Sequence, residues 1–277
     1  MTMTVPTQAG RVPRRVSFAS SRGPAAMTTL VLALLFPAGD QAHAQGRGGP
    51  ATPQTARVAA PIDMTGYWVA IISEDWRWRM ITPSRGDFPS IPINLAAQKL
   101  AETWDPAKDE AAGEQCKAYG APGLMRGPTR LHITWLDDST LKLETDYGMQ
   151  TRLFEFGAAS RGAAKPSWQG TSVAQWVMAG GGRGRGTAGG ARYGSMKSVT
   201  TNLRPGYLRK NGVPYSEKTS FTEYWDLLTE TNGDQYLVDT NVVNDPVYLQ
   251  LPWMTAIHFK KEKDGSKWNP EPCDARF

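Results

Sequence analysis

Apolar and polar residues alternate along many short stretches of this chain, and this alternation constrains the fold more than any other feature. In the stretch that begins at residue 130, Leu131, Ile133 and Trp135 fall on one side and polar residues on the other. A two-residue period places successive side chains on opposite faces of a β-strand. Asn232-Gly233 stands between two such stretches and is a strong cue for a tight hairpin. The pattern predicts antiparallel strands joined by hairpin turns.

Most of the predicted elements are strands, about eight or nine in number. Asn94 is placed to cap a short helix from Leu95 to about Trp104, which Asp105-Pro106 would end. The strand–helix–strand rhythm of a parallel sheet is not visible in the sequence. We therefore expect a mainly β fold, an antiparallel barrel or sandwich with one short helix, in a single domain over residues 62–277.

The first 44 residues have the organisation of an export signal. Arg14-Arg15 lies in a positively charged beginning, residues 25–38 are largely apolar, and Ala42-His43-Ala44 is a small-residue cleavage site. Residues 45–61, rich in Gly, Pro, Ala and Thr, are expected to form a disordered leader after cleavage. These features predict a periplasmic or secreted protein.

The charge balance argues against a nucleic-acid partner. Loss of the signal, which holds four arginines and one aspartate, lowers the formal net charge from +5 to +2. A nearly neutral chain lacks the electrostatic attraction that drives binding to phosphate backbones. No later stretch is apolar and long enough to be an integral membrane segment of the mature chain.

The two cysteines, Cys116 and Cys273, predict a disulfide that ties the end of the chain to its middle. Exported proteins fold in compartments where such bonds persist. A zinc site would need more ligands at closer spacing, and we expect no metal and no cofactor.

A glycine- and arginine-rich run occupies residues 179–194. It lacks the Gly-Lys-Ser/Thr of a phosphate-binding loop and follows no βαβ pattern. We expect a flexible loop at the tip of a hairpin.

Residues 64–81 read as one long strand with two different faces. One face carries Trp68, Glu74, Trp76 and Trp78 among aliphatic residues, and the other face is more polar. Burial among tryptophans would raise the pKa of the Glu74 carboxyl and make it an acid or base inside an apolar cavity. The alternative is a strand end where Glu74 meets solvent or pairs with an arginine. The sequence leaves both interpretations open.

Gly66-Tyr67-Trp68, near the start of the expected mature chain, resembles the Gly-x-Trp opening of lipocalin-like (calycin-type) barrels. More broadly, the chain from Ile62 to Cys273 is similar to an exported, β-rich bacterial protein family of unestablished activity. Four stretches carry this resemblance: Thr65–Val69, Glu74–Met80, Trp104–Glu110 and Thr201–Tyr215. The resemblance implies export and a barrel-like fold, and it transfers no catalytic residue.

Ten tryptophans and nine tyrosines give this chain many large aromatic side chains. Such side chains line cavities for flat apolar ligands, and they equally form ordinary β cores. Our leading hypothesis is a barrel that binds a small hydrophobic molecule, aromatic or polycyclic. The candidate ligand-binding residues are those of the opening strand and of the long loop over residues 204–215: Tyr67, Trp76, Trp78, Arg204, Tyr207 and Tyr215.

Two other classes of function stay open. A cofactor-independent isomerase, lyase or hydratase would use Glu74, His132 or His258 as the acid or base, with Asp239 as a further carboxylate if the polar strand faces line the interior. A structural or interaction protein of the cell envelope would need no such site.

Overall fold

Thirteen strands and five short α-helices make up the part of the chain described by the computed structural model, residues 54–157, 165–178 and 193–276. The strands are β1 (Gly66–Ile71), β2 (Arg130–Trp135), β3 (Thr140–Thr145), β4 (Tyr147–Gly148), β5 (Thr151–Phe156), β6 (Thr171–Met178), β7 (Gly194–Thr201), β8 (Gly206–Arg209), β9 (Val213–Tyr215), β10 (Ser220–Thr229), β11 (Gln235–Asn244), β12 (Trp253–Lys261) and β13 (Glu271–Pro272). The helices are α1 (Ala56–Ala59), α2 (Trp76–Arg79), α3 (Leu95–Glu102), α4 (Pro106–Ala111) and α5 (Ala121–Leu124), with a 3-10 helix at Lys117–Tyr119.

Nine of the strands close into a barrel in the order β1-β12-β11-β10-β7-β6-β5-β3-β2. Neighbours are antiparallel except β5 and β6, which run parallel. The prediction of a mainly β fold is confirmed, and of its two architectures the barrel is correct. The Asn232-Gly233 hairpin joins β10 to β11, and the Asn94 side chain accepts a hydrogen bond from Ala97 N at the start of α3. The helix content is higher than the single helix that we expected.

The barrel interior is a packed core. Trp68, Phe154, Trp225 and Phe259 have no exposed surface, and they belong to one hydrophobic cluster with the inward residues of β2 and β3. Trp68 Nε1 donates to Met64 O at 2.9 Å, which satisfies its polar atom. These interior positions are the apolar sides that the alternation predicted. The aromatic residues of the barrel therefore pack against one another.

A second hydrophobic cluster covers one end of the barrel. Phe221, Val243 and Trp253 are at this end, because Val243 pairs with both of the others in register. They pack against the β8–β9 hairpin and α3. We call residues 72–129 together with the β8–β9 hairpin the cap. At the opposite end α1 lies against the β2–β3 turn, where Arg57 N donates to Asp138 O at 3.1 Å.

The opening stretch is not one long strand. β1 ends at Ile71, and Asp75, with φ of 53°, turns the chain into the helical turn α2. The prediction that Glu74, Trp76 and Trp78 lie on an inner barrel wall is wrong, since all three belong to the cap.

Cys116 and Cys273 form the predicted disulfide. It holds the tail against the cap through Cys116, and β13 of the tail pairs with β4. The predicted export signal (1–44), the first part of the leader (45–53) and most of the Gly/Arg run (179–192) lie outside the described residues. The rest of the predicted leader, residues 54–61, contains α1, and Trp176 Nε1 donates to Ala56 O at 2.7 Å. The expectation of disorder was wrong there.

A polar cluster lies inside the barrel. Arg152 and Glu223 make two hydrogen bonds of 2.6 Å, and neither side chain has exposed surface. Ser198 Oγ also donates to Glu223, at 2.9 Å. Asp239 is fully buried nearby; burial raises the pKa of its carboxyl well above the ordinary 3.8, and the negative charge of Glu223 raises it further. The folded protein therefore binds a proton at Asp239 more tightly than the unfolded chain does.

The Asp239→Asn variant is expected to flatten the pH dependence of stability. In the wild type, stability falls as the pH rises above 3.8 toward the raised value, because the unfolded state releases this proton first. Asparagine has no proton to lose. The stability of the variant relative to the wild type should therefore increase as the pH rises through that window. Urea unfolding at several pH values measures the difference. Parallel curves for the two proteins would show that Asp239 does not titrate in this way.

A cationic cleft in the cap

Four basic side chains from three segments meet in the cap. Arg79 lies in α2, Arg126 follows α5, Arg209 ends β8, and Lys210 comes next in the chain. Together they line a cavity of about 30 Å³. Its other lining residues carry no acidic group: Trp78, Ile81, Ala118, Gly123, Gly127, Tyr147 and Leu208. We call this cavity and its four basic residues the cationic cleft.

The side chains of Arg79 and Arg126 are each held by a carboxylate, and that of Arg79 also by a backbone carbonyl. Arg79 Nε donates to Arg126 O at 2.9 Å. Arg79 Nη1 contacts Glu74 Oε1 at 2.6 Å, and Arg126 Nη2 contacts Asp75 Oδ2 at 2.7 Å. Both arginines are buried, and Arg79 Nη2 has no hydrogen-bond partner among the described residues. The two residues just before α2 thus bring carboxylates to one side of the cleft, and Arg79 keeps a buried donor.

Arg209 is held by neutral acceptors. Its guanidinium donates to Asp87 O at 3.1 Å, Pro89 O at 3.0 Å and Ser90 Oγ at 3.2 Å. It also lies over the ring of Trp78, 5.1 Å from the centroid. No carboxylate in the described part of the chain lies within salt-bridge distance of it. Arg209 therefore brings a buried positive charge that no direct ion pair neutralises.

Burial disfavours the charged forms of these groups. It lowers the pKa of Arg209 to about 10, and the positive charge of Arg126 acts in the same direction. The pKa of Arg79 is lowered by the same two causes. Burial lowers the pKa of Lys210 to about 8, while Asp274 opposes the shift. A negatively charged group in the cleft would stabilise the buried charges of Arg79 and Arg209.

Lys210 lies beside two tyrosine rings, with Nζ 5.0 Å from the centroid of Tyr119 and 4.9 Å from that of Tyr147. The two rings are 4.7 Å apart. Glycines make room for them, because a Cβ at Gly148 would lie 2.2 Å from Tyr119 Cδ1 and one at Gly127 would lie 2.5 Å from Tyr147 Cε1. Gly148 also has a φ of +75°, a conformation that other residues rarely adopt. The two glycines thus allow both tyrosine rings to lie beside the Lys210 amine.

A larger cavity of about 200 Å³, which we call the outer cleft, shares part of its lining with the cationic cleft. Arg79, Ile81, Tyr147 and Lys210 line both. The outer cleft is partly apolar, and it also contains acids. Its further lining residues are Met80, Thr82, Pro128, Arg130, Asp146, Asn269 and Glu271. Arg79 and Lys210 therefore line both the small cationic cleft and the larger outer cleft of mixed polarity.

The residues that the sequence proposed as catalytic are not brought together. Glu74 pairs with Arg79 and its side chain is 39% exposed, so the arginine-paired alternative describes it and the buried acid does not. His132 lies on the outer face of the barrel, stacked on Tyr67 at 4.2 Å with Nδ1 3.3 Å from Glu144. His258 also alternates with inward residues of β12. The polar strand faces are thus exterior, whereas Asp239 is interior.

The proposed ligand-binding residues are dispersed. Trp76 is 63% exposed, and Tyr67 is on the outer barrel face next to His132. Of the proposed ligand-binding residues, only Trp78 lines the cationic cleft. Tyr207 and Tyr215 line a different cavity of about 290 Å³ in the cap, which we call the tyrosine cleft.

The long loop over residues 204–215 is largely held by its own contacts. Tyr207 donates to Asp109 at 2.9 Å, and Arg204 pairs with Glu114 and lies over the ring of Trp168. The Tyr215 ring is fully buried. Tyr207 and Arg204 therefore have local partners before any ligand is considered, whereas the Tyr215 hydroxyl has no hydrogen-bond partner among the described residues.

Sequence reasoning missed all four basic residues of the cleft, Arg79, Arg126, Arg209 and Lys210. Two signals were present: the Trp-Arg-Trp-Arg run at 76–79 and the Arg209-Lys210 pair, both inside stretches that carry the family resemblance. The run at 76–79 alternates like a strand, so it was assigned to the barrel wall. The Arg209-Lys210 pair lay in a segment that was predicted to be a loop.

Comparison of the chain with protein-family models, with curated proteins and with solved structures finds no match. Within the described residues, no helix combines the length and the hydropathy that crossing a bilayer requires. The function is therefore argued from the cleft itself.

Proposed function

We propose that this protein is an exported barrel protein that binds a small organic anion in the cap. The anionic head enters the cationic cleft, and the body of the ligand lies in the outer cleft. The observation that carries the proposal is a cavity lined by Arg79, Arg126, Arg209 and Lys210 with no acid among its lining residues.

Electrostatics support an anion as the ligand. Buried charges in proteins are normally paired, because isolating one from water costs several kcal/mol. Arg209 has neutral acceptors only, and Arg79 keeps one buried donor without a partner in the described structure. Planar guanidinium groups bind carboxylate and phosphate oxygens through paired hydrogen bonds. An oxyanion supplies both the missing charge and the missing acceptors.

The size of the outer cleft favours a compact ligand body. Its volume of about 200 Å³ exceeds the roughly 150 Å³ of an apolar cavity that holds benzene. Met80 and Ile81 provide exposed apolar surface at its edge. An aromatic or short aliphatic acid matches this combination. The proposed ligand keeps the aromatic body expected from the sequence and adds a charged head.

Export is supported by two features. The Cys116–Cys273 bond is of the kind that persists in oxidising compartments. The organisation of the first 44 residues, which lie outside the described structure, is that of a signal. The proposal therefore places the protein in the periplasm or the extracellular medium.

Benzoate is expected to bind and stabilise the wild-type protein, by about 2.7 kcal/mol at a concentration of a hundred times its Kd. Arg209→Gln should weaken benzoate binding at least about tenfold, because it removes the charge that lacks an ion pair. Isothermal titration and thermal unfolding with benzoate and inorganic phosphate measure this. Phosphate binding alone would mean that the head group suffices and the outer cleft adds nothing.

Arg57→Gln is the matched control, since it removes the same charge at the opposite end of the barrel, where Arg57 is exposed. It should leave benzoate affinity unchanged. Equal weakening by both substitutions would show a general effect of net charge, and it would refute the cleft as the binding site, as would the absence of binding by either anion.

A further inference from the structure

We propose that Lys210 forms an imine with the carbonyl group of a 2-oxo acid whose carboxylate is bound by the arginines of the cationic cleft. This rests on the proposed function, since it assigns a class of anion to the same cleft. It goes beyond binding because it gives the protein a covalent chemistry.

The position of Lys210 carries the inference. It lines both cavities, so it stands at the boundary between the part that holds a carboxylate and the part that holds the ligand body. In a 2-oxo acid the carbonyl carbon is bonded directly to the carboxylate carbon. A carboxylate held by Arg79 and Arg209 therefore presents its carbonyl at the boundary where the amine is.

The surroundings of Lys210 favour the neutral amine that this reaction needs. With a pKa of about 8, roughly a tenth of the molecules carry a neutral Nζ at pH 7, against less than a thousandth for an ordinary lysine. The rings of Tyr119 and Tyr147, with centroids 5.0 and 4.9 Å from Nζ, contribute to its burial. Among the described residues, the charged and titratable groups that line the two clefts with it are Arg79, Arg126, Arg130, Asp146, Tyr147, Arg209 and Glu271. Tyr119 lies beside its amine, and Asp274 acts on its charge.

The step is a condensation without net oxidation. The Nζ lone pair attacks the carbonyl carbon, a C–N bond forms, and the π electrons of C=O move to oxygen. The nitrogen then loses its protons as the oxygen gains two, the C–O bond breaks, and the oxygen leaves as water. Amine and oxo acid thus give imine and water, and the protonated imine nitrogen can accept an electron pair in a later step.

The test uses pyruvate as the oxo acid and borohydride to reduce the imine, followed by peptide mass spectrometry of the whole protein. We expect a carboxyethyl group on Lys210, with a yield at least about tenfold above that on Lys260. Lys260 is the internal reference, because it also lies near a tyrosine ring but its pKa is raised by a hydrogen bond to Asp234. The Lys210 adduct should form faster as the pH rises toward 8.

Variants complete the design. Lys210→Arg keeps a positive charge but has no amine that can form an imine, and the adduct should disappear. Arg209→Gln should reduce it at least about tenfold, and Lys260→Arg should leave it unchanged. Equal labelling of Lys210 and Lys260, or no labelling where benzoate still binds, overturns the imine and leaves anion binding intact. Failure of both benzoate and pyruvate to bind overturns the proposed function as well.

Discussion

Arg152→Met is expected to lower the free energy of unfolding by about 3–5 kcal/mol. The substitution leaves the Glu223 carboxylate inside the barrel without the guanidinium that accounts for its two hydrogen bonds of 2.6 Å. Glu223 also lies near Asp239, so the loss of the cation leaves two acids to share a low-dielectric interior. Urea unfolding monitored by tryptophan fluorescence measures the change.

Two comparisons isolate the buried pair. Lys142→Met breaks a partly exposed ion pair with Glu144, 3.0 Å in length, and should cost less than about 1 kcal/mol. Adding Glu223→Gln to Arg152→Met removes the stranded charge and should recover part of the loss. An Arg152→Met variant as stable as the wild type would mean that water or rearrangement satisfies Glu223, contrary to the packed interior described above.

Removing the disulfide should have an effect of similar size. The bond joins positions separated by 157 residues, and the chain-entropy relation for a loop of that length gives about 5 kcal/mol. The Cys116→Ser/Cys273→Ser double variant is expected to lose most of that stability. It should also bind benzoate more weakly, because Asn269 and Glu271 of the tail line the outer cleft.

Urea unfolding of the double variant, and of the wild type with and without reductant, tests this expectation. Reduction of the wild type should reproduce the double variant, while reductant should leave the double variant unchanged. A loss below about 1 kcal/mol would show that the β4–β13 pairing and the tail's other contacts hold the tail without the covalent link.

The barrel was predictable because its signals are local. Alternation along β2 and β3 correctly divided their residues between two faces, and Asn232-Gly233 gave a correct hairpin. The sequence did not show which of the alternating faces lies inside the barrel. It therefore could not show that His132 and His258 lie on the outside. A strand carries both faces in its own residues, but only its neighbours determine which of them is enclosed.

The cationic cleft was not predictable for a different reason. Arg79 and Arg126 are 47 residues apart in the chain, and their contact depends on how α2 and α5 pack in the cap. The Trp76–Arg79 run alternates like a strand yet forms a helical turn, because Asp75 reverses the chain just after β1 ends. Short periodic runs do not distinguish these states when tertiary packing decides between them.

The closure of the barrel sets an order of events during synthesis. β1 pairs with β2 on one side and with β12 on the other. The first barrel strand to be synthesised therefore cannot complete its pairing until the last one is present. Until residues 253–261 leave the ribosome, one edge of β1 has no partner and the Trp68 side chain has no complete enclosure. Long-range pairings of this kind fold slowly and expose aggregation-prone edges. Nascent chains that stop before β12 should therefore be clients of holding chaperones.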